Sequence, residues 1–166
     1  MNEYLPEDIA VLTVEEAAPR FHARLNAVRK TYVYRIWNAP VRNVFRRRFT
    51  TWIQKPLDLD AMEQAATLLC GTHDYRAFCS LKKFKKSTVR TIEKIEIGKM
   101  GQEIRISYTG DGFLHHMVRI LTGTLVEVGL GLRKPEEMTE ILEGQDRTKA
   151  GRLMPPEGLT LESVEY

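Results

Sequence analysis

The chain has 166 residues, 43% hydrophobic and 28% charged, with a net charge of only +3. That length suits one domain burying about 70% of its unfolded surface, and the composition excludes a disordered tail. No apolar run approaches the roughly 20 residues of a membrane span, and the start, Met1-Asn2-Glu3-Tyr4, carries no signal-peptide pattern, so a cytoplasmic protein without a membrane partner is expected.

In chain order, Ile9-Ala-Val-Leu-Thr-Val14 is a β-rich run between Pro6 and Pro19 and predicts an early strand. From Arg20 to Phe49 there is no Asp or Glu, while Arg20, Arg24, Arg29, Lys30, Arg35, Arg42, Arg46, Arg47 and Arg48 all fall there. Within this run Thr31-Tyr-Val-Tyr-Arg-Ile-Trp37 predicts a second strand, with Tyr32, Tyr34 and Ile36 on one face and Val33, Arg35 and Trp37 on the other. Beyond Pro56, Leu59, Met62, Ala66 and Leu69 recur at helical spacing, with Asp58 placed to cap the helix and Gly71 to stop it.

Cys70 and Cys79 are too few for a disulfide framework and form no Cys-x-x-Cys pair, so both are expected reduced. A second basic cluster follows at Lys82, Lys83, Lys85, Lys86 and Arg90, with Phe84 among them. Thr88–Ile97 and Glu103–Tyr108 alternate in character about Gly98-Lys-Met-Gly101, which predicts a hairpin. From Leu114 onward Met117, Ile120, Leu121, Leu125 and Val128 keep helical spacing until Gly129 and Gly131, a short acidic helix follows Pro135, and Leu159–Val164 predicts a closing strand.

This order implies a single α+β domain over residues 1–166, with an antiparallel sheet and helices packed on one of its faces. Acidic residues gather elsewhere, at Glu7, Asp8, Glu15 and Glu16 and again at Glu136, Glu137, Glu140 and Glu143, so the chain is electrically polarised. Aromatics interleaved with the basic run, among them Phe21, Tyr32, Tyr34, Trp37, Phe45 and Phe49, favour a nucleic-acid partner, because bases stack on aromatic faces while phosphates seek Arg and Lys. Read by pattern alone, Tyr32 and Tyr34 are ordinary strand aromatics before they are a binding surface.

Gly112-Phe-Leu-His-His-Met-Val-Arg119 sets His115, His116 and Arg119 on a predicted helix that is otherwise apolar. A cation there needs an anionic partner, a carboxylate or a phosphate, and none lies nearby in sequence. Adjacent histidines on a helix point a quarter turn or more apart, and no His-Glu-x-x-His, Cys-x-x-Cys or phosphate-loop pattern occurs, so no metal or cofactor is expected.

Three separated stretches together resemble the tRNA pseudouridine synthase A family: Phe21-His-Ala-Arg24 with Lys30–Tyr34; Gly112–Gly123 with Glu127-Val-Gly129; and Gly158–Leu161 with Val164–Tyr166. Leu5–Ile9, Asp74–Phe78 and Asp146-Arg147 also fall where such a protein has them. The resemblance implies a pseudouridine synthase-like fold, with a half of RRM or ferredoxin-like form, in a cofactor-free isomerase. Such an enzyme detaches a uracil base in the tRNA anticodon stem-loop, turns it and rejoins it through carbon. It further implies that Tyr32 stacks on the target base and is placed to move the proton at C5, that Arg119 pairs with the catalytic aspartate, and that Leu159 lines the pocket. His22, Arg24, Lys30, His115 and His116 are expected to bind the RNA. The family's nucleophile lies in an Arg-Thr-Asp-Ala-Gly stretch of an earlier domain, and no such stretch occurs in these 166 residues. The resemblance therefore implies a C-terminal portion, inactive alone, of an enzyme that works as a homodimer; the competing reading is a free-standing, non-catalytic RNA-binding module.

Overall fold

Strand β1 (Arg29–Asn38) is the axis of the molecule, and its β-branched and aromatic content suits a strand flanked on both sides. In the computed structural model, which describes residues 1–81, 83 and 86–166, β5 (Glu103–Gly110) runs antiparallel along one side, from Lys30 opposite Gly110 to Trp37 opposite Glu103. The other side is shared. β6 (Leu159–Glu165) pairs antiparallel with Arg29–Tyr34, and β2 (Thr51–Ile53) pairs parallel with the Ile36–Asn38 end. β4 (Val89–Met100) and β3 (Gly71–Asp74) extend the sheet beyond β5, giving the order β2-β1-β5-β4-β3 with β6 also on β1.

Among the described residues three α-helices, α1 (Leu59–Leu68), α2 (Met117–Gly129) and α3 (Glu137–Gly144), complete the α+β fold. Tyr34 and Ile36 of β1 and Ile104, Ile106 and Tyr108 of β5 share one core with Met62 and Ala66 of α1, Ile120, Leu121 and Leu125 of α2, and Met138 and Ile141 of α3. The side chains at alternate positions, Arg35, Arg105 and Glu103, instead build cross-strand ion pairs: Arg35 with Glu103, and Arg105 with Glu162. The sheet thus has one apolar, helix-covered face and one polar face, as an alternating strand pattern demands. Helix α2 is buried nearly all round, which its uninterrupted run of apolar and small residues from Ile120 to Val126 allows.

The core's three buried tyrosines each satisfy their hydroxyl. Tyr34 bonds Thr51 Oγ1 at 2.6 Å and donates to Pro155 O at 2.7 Å, Tyr75 donates to Leu69 O at 2.8 Å, and Tyr108 bonds Thr122 Oγ1 at 2.8 Å. Burial raises all three phenol pKa values, that of Tyr34 to about 12.

Several expectations need correcting. Ile9–Val14 forms no strand; it belongs to an exposed N-terminal arm in which Leu12 is 93% accessible, and among the described residues it has no strand partner. The sheet is not wholly antiparallel, since β2 is parallel to β1. Asp58 does cap α1, accepting from Ala61 N at 3.0 Å, but Gly71 opens β3 rather than ending the helix, turning the chain with a φ of 111°. The hairpin is longer than its alternation suggested, so Gly98 lies inside β4 and the turn falls at Gly101-Gln102. Lys82, Phe84 and Lys85 of the second basic cluster lie outside the described residues.

Candidate active site

The end of β1 nearest β6 places Tyr32 at the margin of the helix-covered face, where the sheet gives out and the N-terminus of α2 begins. There Tyr32, Phe113, Leu114, His116, Arg119, Pro156 and Leu159 line a cavity of about 220 Å³. The Tyr32 and Phe113 rings meet in a T-shaped contact, with centroids 5.3 Å apart at 84°. The Tyr32 hydroxyl makes no hydrogen bond among the described residues. Leu159 sits directly opposite Tyr34 in the β1–β6 ladder, so the strand register that closes the sheet also sets the cavity floor.

Arg119 is half-buried in the first turn of α2. Its Nε donates to Met154 O at 2.6 Å, and among the described residues no carboxylate lies within salt-bridge distance of it. The carbonyl that orients Arg119 comes from the segment between α3 and β6, which is rigidly held. Asp146 accepts from Thr148 N and Oγ1, both at 2.8 Å, and these bonds lower its pKa. Arg147 Nη1 reaches Ala150 O and Gly151 O, and Gly151 N donates to Thr124 Oγ1 at 2.9 Å. Contact with α2 is made through Gly123, where an added Cβ would stand 1.9 Å from Arg152 O. Only a glycine admits so close a passage.

His115 and His116 do not lie on the helix as predicted. They precede it in a turn, with His116 in the left-handed region at φ 63°, a conformation that costs a non-glycine residue about 1 to 3 kcal/mol. This turn folds the two imidazoles onto each other, with centroids 3.7 Å apart at 31°, rather than splaying them by a quarter turn. Ser80 Oγ touches both, at 2.7 Å from His115 Nδ1 and 2.9 Å from His116 Nδ1. Burial lowers the His116 pKa, and the neighbouring His115 and the Arg119 guanidinium lower it further.

A wider groove of about 620 Å³ adjoins the cavity across Phe113 and Leu114, lined by Arg24, Lys83, Lys86, Ser87, Arg90 and His115. The structure therefore brings Tyr32, His116, Arg119 and Leu159 together, and sets Arg24 and His115 in the neighbouring groove. It leaves His22 and Lys30 outside both. His22 Nδ1 accepts from Arg24 N at 3.2 Å within the arm, and Lys30 Nζ is spent on Ala27 O and Asp111 O. Elsewhere the basic run is partly neutralised, Arg29 by Glu93 and Glu165, and Arg46 by Glu103. Ser80 and Met154 had no signal in the sequence, since a lone serine and a backbone carbonyl carry none, and Phe113 fell inside the Gly112–Gly123 stretch without being singled out.

An aromatic ring and a guanidinium with no carboxylate partner among the described residues, in one small cavity beside a cation-lined groove, suit the holding of one base of a polyanion. The family model for tRNA pseudouridine synthase matches residues 65–166. All 166 residues align with tRNA pseudouridine synthase A of Brevibacillus brevis at 48% identity, covering 68% of that protein, and with tRNA pseudouridine synthase A 2 of Clostridium tetani at 45%, covering 67%. The tRNA pseudouridine synthase A of Geobacillus kaustophilus is 43% identical, with 64% of it covered. The chain belongs to the tRNA pseudouridine synthase family. Its resemblance is to the A-type members in particular, and it corresponds to about two thirds of their length.

Proposed function

We propose that these residues are the C-terminal portion of a synthase that isomerises uridine to pseudouridine in the tRNA anticodon stem-loop, and that they need a catalytic aspartate supplied by another domain. The supporting observation is Arg119: a half-buried guanidinium aimed into the Tyr32 cavity, held by one backbone carbonyl and facing no carboxylate among the described residues. A cation so placed is stabilised once a carboxylate arrives, and that carboxylate then stands beside the base.

In this reading the target uridine leaves its stack and enters the cavity. Stacking on Tyr32, worth about 1 to 3 kcal/mol, helps offset the cost of flipping it out. The aspartate carboxylate bonds to C1′ of the ribose as the glycosidic bond from N1 breaks and N1 takes the electron pair. The ring turns, C5 bonds to C1′ as the aspartate–C1′ bond breaks and frees the carboxylate, and the proton C5 carried passes through the Tyr32 hydroxyl to N1. Leu159 and Phe113 keep water away, and the groove cations hold the phosphates without reading sequence, which suits recognition of tRNA by shape. The assembled enzyme is a cytoplasmic homodimer in this proposal.

The test is pseudouridine formation on an unmodified tRNA transcript. This chain alone yields none, and adding a polypeptide that carries the Arg-Thr-Asp-Ala-Gly domain restores turnover. Turnover without that domain would refute the need for an outside aspartate. Tight, salt-sensitive tRNA binding with no turnover under either condition would favour a non-catalytic RNA-binding module.

A further inference from the structure

We infer that Ser80, His115 and His116 form a phosphodiester-gripping site on the lip between the cavity and the groove, taking up a single proton as RNA docks. The inference rests on the RNA-binding reading above and adds a ligand atom and a proton count to it. His115 lines the groove and His116 the cavity, so the stacked pair straddles the Phe113-Leu114 wall that divides them. A nucleotide whose base fills the cavity must lead its backbone over this wall.

The proton count follows from one hydroxyl. Ser80 Oγ has a single proton to donate and lone pairs to accept with, yet both Nδ1 atoms lie within hydrogen-bond distance of it. With both rings neutral, the hydroxyl donates to one Nδ1 and the other ring donates its Nδ1–H to the oxygen. The two imidazoles therefore hold opposite tautomers, one offering an Nε2–H and the other an Nε2 lone pair. A proton added at that lone pair makes both Nε2 atoms donors and disturbs neither bond to Ser80. A second proton has only the Nδ1 that accepts from Ser80; it would break that bond and stack two cations with ring centroids 3.7 Å apart. The pair is a one-proton unit.

The charged and titratable groups around it, element by element, are Arg119 of α2, Tyr32 of β1, Arg90 of β4, Arg24 of the N-terminal arm, and Cys79, Lys83 and Lys86 between β3 and β4. No carboxylate lines either cavity among the described residues. This cationic setting keeps the empty pair neutral, in keeping with the lowered pKa of His116. An RNA phosphate reverses the sign of the local field, so the proton enters with it and two Nε2–H groups close on its oxygens.

The experiment uses the chain as it stands, labelled with nitrogen-15, and reads imidazole tautomers by long-range nitrogen–proton NMR. At pH 7.5 one ring of the pair shows its proton on Nδ1 and the other on Nε2, and acid brings one shared titration step. Ser80→Ala separates this into two independent steps, and Ser80→Thr restores one. Calorimetry with an unmodified tRNA transcript in buffers of unequal ionisation enthalpy then gives uptake of about one proton near neutral pH. Between the titration of the free pair and that of the complex, affinity falls about tenfold per pH unit. In the complex the shared step of the pair moves to higher pH. Like tautomers in the two rings, or two separate steps in the unaltered protein, would overturn the one-proton unit. Binding of tRNA without proton uptake would remove the phosphate site and leave the proposed function standing; no binding at all would remove both.

Discussion

Replacing Gly123 by alanine tests whether the α3–β6 segment sets the position of Arg119. The new Cβ would stand 1.9 Å from Arg152 O and 3.0 Å from its carbonyl carbon, so the segment must withdraw by about 1.5 Å to reach ordinary contact. Crowding of this kind costs about 1 to 3 kcal/mol, against which alanine returns roughly 0.8 to 1 kcal/mol of helix propensity. The net expectation is a loss of up to about 2 kcal/mol, which for a chain of this size lowers the melting temperature by up to roughly 8 °C. Met154, whose carbonyl holds the Arg119 Nε, lies two residues beyond Arg152 and is displaced with it. An error near 1 Å at a catalytic group costs about 100-fold in rate, so turnover in the complemented enzyme falls by that order. Thermal unfolding followed by circular dichroism and the pseudouridine assay read the two effects. A variant that melts at or above the parent temperature would refute the idea that only glycine fits there.

Arg119→Ala removes one hydrogen bond and a half-buried charge; it costs folding about 1 kcal/mol but complemented turnover roughly 100-fold, and comparing chemical denaturation with the activity assay separates the two. Tyr34, Tyr75 and Tyr108 have pKa values raised above the ordinary phenol value, so their contribution to stability is fully present below pH 10 and is lost as pH climbs through about 12, the Tyr34 value. Tyrosinate absorbance at 295 nm from these three therefore rises together with loss of the circular dichroism signal in an alkaline titration, not before it. Replacing Lys83, Lys86 and Arg90 together by glutamine, in the groove beside the cavity, flattens the salt dependence of tRNA binding by about 0.7 for each phosphate no longer neutralised.

The elements long enough to show a period were legible in the sequence. The alternation of Thr31–Trp37 gave β1, and the spacing from Leu59 and from Met117 gave α1 and α2, because the large apolar residues of each recur at the period of its element. Strands of three and four residues, such as β2 and β3, show no period and are defined by partners far along the chain. The run at Ile9–Val14 has strand composition but an exposed course, since propensity records how well side chains suit a sheet and not whether a neighbouring strand is there to receive them. At the site, Tyr32, Arg119 and Leu159 were all reached through motif resemblance, and all three line one cavity. The His115–His116 stack was hidden because it depends on a single left-handed residue, whose φ of 63° no periodicity anticipates. Ser80 was hidden because a tertiary contact across 35 residues leaves no local trace.

The shared edge of β1 has a consequence for biosynthesis. Arg29 meets Glu165 across 136 residues, and at about 5 to 20 residues per second the ribosome needs roughly 7 to 27 s to bring that partner out. Throughout that interval the first half of β1 offers unsheltered amide and carbonyl groups, the kind of border on which foreign strands add. Translation that stalls between α3 and β6 would leave a chain with most of its interior assembled, one raw margin, and no recess around Tyr32.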